Sequence, residues 1–112
     1  MDISYQALET DLLLISLKGR LDANTSPEVK ANLKKLIGEG NLKIIIDLQN
    51  VPFIDSSGLA SLVSALRLAR EQSGIVVLSG IQTQAHIVFR LTMLDRVFSI
   101  YPTPEDAQQN LR

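Results

Sequence analysis

The 112-residue sequence contains no cysteine, no tryptophan and only one histidine, His86. The absence of cysteine excludes disulfides, thiol catalysis, iron–sulfur clusters and every zinc site built on thiolates. With one histidine, a histidine-rich metal site is impossible, and a Ser-His-Asp mechanism has a single possible base. We therefore expect no metal site in this chain.

The sequence also lacks a large excess of charges of one sign and a long apolar run. Eleven Lys and Arg against twelve Asp and Glu give a net charge of −1, so nothing draws the chain to nucleic acid or to an anionic membrane surface. No apolar run approaches the roughly 18 residues of a spanning helix, and the first residues do not resemble a secretory signal. These absences predict a cytoplasmic protein with neither a nucleic-acid nor a membrane partner.

The nucleotide and hydrolase motifs that we tested are also absent. The chain has no G-x-x-x-x-G-K-[ST] phosphate loop and no G-x-G-x-x-G after a strand, so we expect no nucleotide cofactor. It has no S-x-x-K, and Ile54 stands where a G-x-S-x-G motif around Ser56 would need glycine. The sequence therefore offers no recognisable catalytic centre.

What is present is the composition of a folded domain, 46% hydrophobic and 21% charged. Its length predicts one domain over residues 1–112. Apolar patterns predict strands at residues 3–8, 12–17, 42–48, 75–78 and 97–101. Helices are predicted from Ser26-Pro27 to Gly38, over 57–72, over 83–91 and from Pro104 onward. Helices that alternate with strands after an opening hairpin indicate an α/β fold with a mixed sheet.

Helical spacing also predicts which faces are buried. We expect Ser26 to cap the first helix, and His86 to lie on the solvent side of the third. The residues expected to face the core are Val29, Leu33, Leu36 and Ile37 in the first helix, Leu59, Leu62, Val63, Leu66 and Ala69 in the second, and Ile87, Val88 and Leu91 in the third.

The segment F-I-D-S-S-G-L at residues 53–59 follows a buried strand and begins the second helix. Sites in open α/β sheets collect at such strand ends. Asp and Ser are also ordinary helix caps, and spacing alone favours that interpretation. Two adjacent hydroxyls exceed what one cap needs, however, and an exposed serine at a helix start is well placed to carry phosphate.

A second segment, Gly19-Arg20-Leu21-Asp22, puts a carboxylate in the loop before the first helix. Taken alone, Asp22 is most simply the start of an Asx turn. We expect it to be exposed.

With both segments in this order, the chain resembles the bacterial anti-sigma factor antagonists, which are stand-alone STAS domains. The resemblance spans nearly the whole chain and includes Leu91 to Phe98 and the helix that follows Thr103. It implies a mixed sheet with about four helices packed mainly on one face. It also implies a regulatory protein without enzymatic activity. Three departures are Ala60, where many relatives have glycine, Pro52 before the aromatic residue, and the absence of proline at the start of the third helix.

In this family the first hydroxyl after the motif aspartate is phosphorylated, which here is Ser56. The resemblance implies that the kinase is the anti-sigma factor itself, an ATP-dependent serine kinase. The unphosphorylated antagonist binds it and frees the sigma factor, phosphorylation releases it, and a PP2C-type phosphatase resets the switch. The family's loop aspartate corresponds to Asp22, near the phosphorylated loop.

The outward face of the second helix suggests where a partner docks. A line of small residues that ends in an exposed leucine suits close approach, although an ordinary surface with one stray leucine is common. We expect the partner to contact Asp22, Asp55, Ser57, Gly58, Ser61, Ser64 and Leu68. Ser57 is expected to serve mainly as a helix cap and interface residue.

Two other functions compete with this one. A STAS module could be an accessory subunit of a transporter or of another signalling assembly, using the same fold and loop. A small hydrolase could use Ser56 or Ser57 as its nucleophile, but the chain lacks an evident base for either serine.

Overall fold

Apolar strand segments assemble into one five-stranded sheet in the computed structural model, which describes residues 1–112. The strands are β1 (Asp2–Glu9), β2 (Leu12–Lys18), β3 (Lys43–Asn50), β4 (Ile75–Ser79) and β5 (Ile100–Tyr101). Their order across the sheet is β1-β2-β3-β4-β5, with β1 antiparallel to β2 and all other neighbours parallel. The helices are α1 (Ser26–Gly38), α2 (Ser56–Glu71), α3 (Thr83–Leu91) and α4 (Pro104–Leu111), and a 3₁₀ turn covers Leu94–Arg96.

Strand β3 lies at the centre of the sheet and is buried on both faces. Because successive side chains of a strand point to opposite faces, Ile44 and Ile46 join the larger core while Ile45 joins the smaller one. All three are fully buried. The prediction of a doubly buried strand here is confirmed.

Helices cover the two faces of the sheet unequally. The buried sides of α1, α2 and α3 pack over one face and form the larger core. Helix α4 lies on the other face, where Ala107 packs against Leu12, Ile45 and Val77. The expected mixed sheet with four helices mainly on one face is therefore confirmed. None of these helices combines the length and the apolar character that crossing a bilayer demands.

The start of α1 differs from the prediction by one residue. Ser26 was expected to cap the helix, but Thr25 occupies the cap position and Ser26 is the buried first helical residue. Thr25 already has a helical backbone, and the Ser26 amide donates to the Asp22 carbonyl over 2.8 Å. The turn that begins at Asp22 therefore leads directly into the helix.

The buried face of α3 was predicted correctly only for Val88, which is half-buried and packs against the larger core. Ala85 and Phe89 face the core, whereas Ile87 is 45% exposed and Leu91 is 78% exposed. Five of the nine residues in this short helix are apolar, so periodicity does not single out one face. The ring of Phe89, which packs edge-on against Phe98 at 5.9 Å between centroids, sets the orientation.

The connection after α3 contains a residue in an unusual backbone conformation. Met93 has φ 61° and ψ 14°, which is the left-handed region. A residue with a β-carbon is strained there, and glycine is not. Met93 is also exposed, so burial of its side chain does not offset this strain.

Candidate functional site

The two segments singled out in the sequence meet through a single backbone pairing. Leu21 and Ile54 form an isolated parallel bridge outside the main sheet. The Leu21 amide donates to the Phe53 carbonyl over 2.9 Å, and the Asp55 amide donates to the Leu21 carbonyl over 3.2 Å. Because the pairing is parallel, Asp22 and Asp55 both follow the bridge at the same end and in the same direction.

Asp55 caps α2. Its Oδ1 accepts a hydrogen bond from the Gly58 amide over 3.0 Å, and its backbone is extended. The expectation that Ser57 caps this helix is therefore wrong. The Asp55 carboxylate, two positions earlier, accepts the hydrogen bond from the Gly58 amide that a cap residue would accept. An acid at this position also interacts favourably with the positive end of the helix dipole.

Ser56 is the first residue of α2 and is exposed. No hydrogen bond engages its hydroxyl, in contrast to the hydroxyls of Thr25, Ser61 and Ser79. The Ser56 hydroxyl is therefore free to meet a reagent or a partner. It lies at the positive end of a helix and follows Asp55 directly.

Gly58 is buried against Leu21 and has a structural role there, while its contact with a partner stays a prediction. A β-carbon at this position would overlap the Leu21 carbonyl oxygen and stand 2.8 Å from Leu21 Cγ. Only glycine permits this approach. The first turn of α2 can therefore lie directly on the Leu21–Ile54 bridge.

Asp22 organises its own loop. Its Oδ1 accepts from the Asn24 amide over 3.0 Å and from the Thr25 amide over 3.3 Å, which is the expected Asx turn. The Asp22 side chain is only 21% exposed, so the expectation of an exposed residue is wrong. The turn folds Asn24 and Thr25 back over one carboxylate oxygen. The other oxygen, Oδ2, faces Arg20.

Arg20 connects Asp22 to the second segment. Its Nε lies 3.7 Å from Asp22 Oδ2, and its guanidinium carbon lies 4.1 Å from the centre of the Phe53 ring. A cation above an aromatic face at this distance is attracted to it. Neither Arg20 nor Phe53 was given a role from the sequence, because a cation in one loop and an aromatic residue 33 positions later carry no local pattern.

Helix α3 holds the segment from the other side. The Ile54 amide donates to Gln84 Oε1 over 2.9 Å, and Gln84 Nε2 donates to the Ile54 carbonyl over 2.9 Å. At the cap of the same helix, Gln82 Nε2 donates to the Gln49 carbonyl over 2.7 Å. Gln84 was also missed from the sequence, because a side-chain-to-backbone contact across 30 residues has no periodicity.

A cleft of about 390 Å³ opens beside Ser57, between the first turns of α1 and α2. Its lining consists of Ser26, Pro27, Lys30, Ser57, Ala60 and Ser61. Ser57 is half-buried there. The surface next to Ser56 therefore contains a recess, and the ammonium group of Lys30 lines it.

The outward line of residues predicted on α2 is only partly present. Ser61 is 3% exposed and donates to the Gly58 carbonyl over 2.7 Å, so its placement on the outer face was wrong. Helix α1 packs against this side of α2, and a helical wheel scored on hydrophobicity does not detect a buried serine. Ser64 and Leu68 are half-buried, and Leu68 also packs against the larger core.

The single histidine, His86, does not line the cleft beside Ser57. It is exposed on α3 and lines clefts with Ile81 and Ile100 instead. No group of three or more His, Cys, Asp or Glu residues is placed to hold a metal ion. The arrangement leaves the Ser56 hydroxyl exposed and without a hydrogen-bond partner.

Comparison with known proteins gives this arrangement a context. A family model described as the STAS domain matches residues 4–107. The anti-sigma-B factor antagonist of Listeria monocytogenes is 32% identical over 102 residues, which cover 89% of this chain and 90% of that protein.

Solved structures share the fold. A crystal structure of a Thermotoga maritima protein, assigned as an anti-sigma factor antagonist, superposes with a TM-score of 0.90 at 25% identity and covers 96% of this chain and 92% of that one. The Bacillus cell fate determinant SpoIIAA in its phosphorylated form superposes with a TM-score of 0.79 at 22% identity, over 99% of this chain and all of that one.

Proposed function

The chain belongs to the STAS domain family of anti-sigma factor antagonists, and from this membership we propose that it is a phosphorylation-controlled binding protein and not an enzyme. Unphosphorylated, it binds an anti-sigma factor that is also a serine kinase, and the sigma factor is freed. Phosphorylation of Ser56 dissociates the complex, and a PP2C-type phosphatase restores the binding form. One domain over residues 1–112 performs this role in the cytoplasm, where sigma factors meet RNA polymerase.

The observation that carries this proposal is the exposed, unbonded hydroxyl of Ser56 at the start of α2. A kinase needs such a hydroxyl to be accessible. Asp55 precedes it, and the Leu21–Ile54 bridge pairs the residue before Asp22 with the residue before Asp55. The hydroxyl therefore follows one carboxylate directly, and the loop that carries a second carboxylate is paired to the same segment.

The same geometry explains why phosphate would release the partner. A phosphoserine adds about −1.5 to −2 charges. The helix N-terminus tolerates part of this charge, but Asp22 and Asp55 repel it, and a docked partner would have to desolvate it. A penalty of about 3 kcal/mol weakens binding more than a hundredfold. The switch then works by charge at the docking surface and needs no refolding.

The test is phosphorylation of the purified chain by anti-sigma factor kinases with ATP, beginning with the anti-sigma-B factor of Listeria monocytogenes. Phosphopeptide mass spectrometry is expected to find the modification on Ser56. Ser56→Ala should abolish labelling, and Ser57→Ala, the matched control, should retain it. Labelling found only on Ser57 would contradict the proposal. Stable binding of a transporter subunit, with no kinase acting on Ser56, would favour the accessory role instead.

A further inference from the structure

We propose that Gln84 is a positioning residue for Ser56. Its side-chain amide forms the two backbone hydrogen bonds that a neighbouring strand would otherwise form with the segment that leads to this serine. The inference rests on the proposed function for its biological meaning, but the contacts that carry it are independent of any partner. They concern the two edges of residues 53–55.

Residues 53–55 are extended, and their backbone groups point alternately to two sides. On one side, Phe53 and Asp55 bond to the backbone of Leu21. On the other side, both the amide and the carbonyl of Ile54 bond to Gln84, each over 2.9 Å. The primary amide thus presents one donor and one acceptor, as the peptide groups of an adjacent strand would.

Ile54 needs this partner because its surroundings hold little water. The residue is only 1% exposed, and a buried backbone group without a hydrogen bond is strongly unfavourable. No other residue bonds to these two groups of Ile54. Loss of the Gln84 side chain therefore leaves a donor and an acceptor unpaired directly before the cap of α2.

Gln84 can hold the segment because its own helix is anchored. Phe89, one and a half turns later in α3, is fully buried. Gln82, at the cap of the same helix, bonds to the Gln49 carbonyl at the end of β3. The two glutamines therefore form hydrogen bonds to both ends of the connection from β3 to α2. Gln84 bonds to the end next to Ser56.

The experiment measures amide hydrogen exchange by NMR in the wild type, Gln84→Ala and the matched control Gln82→Ala. In Gln84→Ala we expect the Ile54 amide to exchange at least about tenfold faster, the ratio that corresponds to one ordinary hydrogen bond. The Gly58 amide, which reports the cap, should also exchange faster, and the Cα shift of Ser56 should move toward the coil value. The Ile45 amide in the sheet monitors global opening.

A second variant provides a pH signature that general destabilisation does not produce. In Gln84→Glu, an ionised carboxylate accepts from the Ile54 amide but repels its carbonyl, whereas a protonated carboxyl both accepts and donates, as the native amide does. Ile54 protection in this variant should therefore rise as the pH falls through the glutamate range, near a pKa of about 4.3 or above it. The wild type should show no such rise.

Faster exchange at Ile54 and Gly58 in Gln84→Ala, with Ile45 unchanged and with rescue of Gln84→Glu by acid, supports the positioning role. Unchanged exchange at Ile54 overturns it, and so does equal acceleration of Ile45 or an effect of the same size in Gln82→Ala. None of these measurements uses a kinase. If Ser56 is never phosphorylated, the proposed function fails while the exchange results still decide the role of Gln84.

Discussion

Gly58 and Leu21 lie in direct contact, with the glycine α-carbon against the leucine carbonyl. A β-carbon at Gly58 would overlap that oxygen and would also stand 3.1 Å from Ile54 Cγ2. The contact joins the first turn of α2 to the bridge beneath it. The spacing between Ser56 and the Asp22 loop therefore depends on the absence of one methyl group.

Gly58→Ala should lower the free energy of unfolding by about 2–3 kcal/mol, because the new methyl group forces the backbone of α2 away from Leu21. The measurement is the urea midpoint. Gly38→Ala is the matched control, since Gly38 is also in a helix and a β-carbon added there would have no neighbour within 4 Å. The control should gain about 0.5 kcal/mol from helix propensity. Equal effects of the two substitutions would contradict the close contact.

Met93→Gly should stabilise the protein by about 0.5–1 kcal/mol. The gain comes from removing the strain of a left-handed residue, less the greater freedom of glycine in the unfolded chain. Met93→Ala keeps the strain while removing the exposed side chain, and it should change the thermal midpoint little. If Met93→Ala raised the midpoint as much as Met93→Gly, the side chain and not the backbone would be responsible.

Ser56→Asp should keep the fold and bind an anti-sigma factor kinase at least about tenfold more weakly, since one carboxylate reproduces part of the phosphate charge. Titration calorimetry measures the affinity, and circular dichroism checks the fold. Ser56→Ala should bind as the wild type does. Ser4→Asp, which adds the same charge on the exposed face of β1, should leave the affinity unchanged. Wild-type affinity in Ser56→Asp would exclude charge as the switch.

Asp22→Asn should preserve stability to within about 0.5 kcal/mol, because the amide oxygen can still accept from Asn24 and Thr25 and only a weak ion pair to Arg20 is lost. Asp22→Ala also removes the acceptor and should lower stability by about 1 kcal/mol. If the carboxylate serves the kinase, both variants should be phosphorylated more slowly. A wild-type rate in Asp22→Asn, whatever its urea midpoint, would assign Asp22 to the turn alone.

The sheet and most of the helices could be predicted because their signals are local. Three consecutive β-branched residues, Ile44 to Ile46, favour a strand with apolar neighbours on both faces. Leu59, Leu62 and Leu66 repeat at helical spacing. Burial of such residues dominates the folding free energy. The resulting pattern of apolar residues can be read from the sequence without the tertiary structure.

The site could be predicted only as a set of segments. No local sequence pattern indicates that the side-chain amide of Gln84 bonds to Ile54. The burial of Ser61 depends on how α1 packs against α2. The exposed fraction of Asp22 likewise follows from its turn and from Arg20 beside it. Each of these contacts depends on tertiary structure, which periodicity does not encode.

The Leu21–Ile54–Gln84 arrangement has a consequence for when a kinase could act on Ser56 under the proposed function. Its three parts are separated by 33 and 30 positions and meet only in the folded molecule. A chain emerging from the ribosome displays the D-S-S-G sequence long before α3 exists to hold it. A synthetic peptide over residues 50–64 is in the same condition. A kinase that recognises the folded arrangement would therefore not phosphorylate nascent, truncated or misfolded copies. Only fully folded molecules would then respond to that kinase.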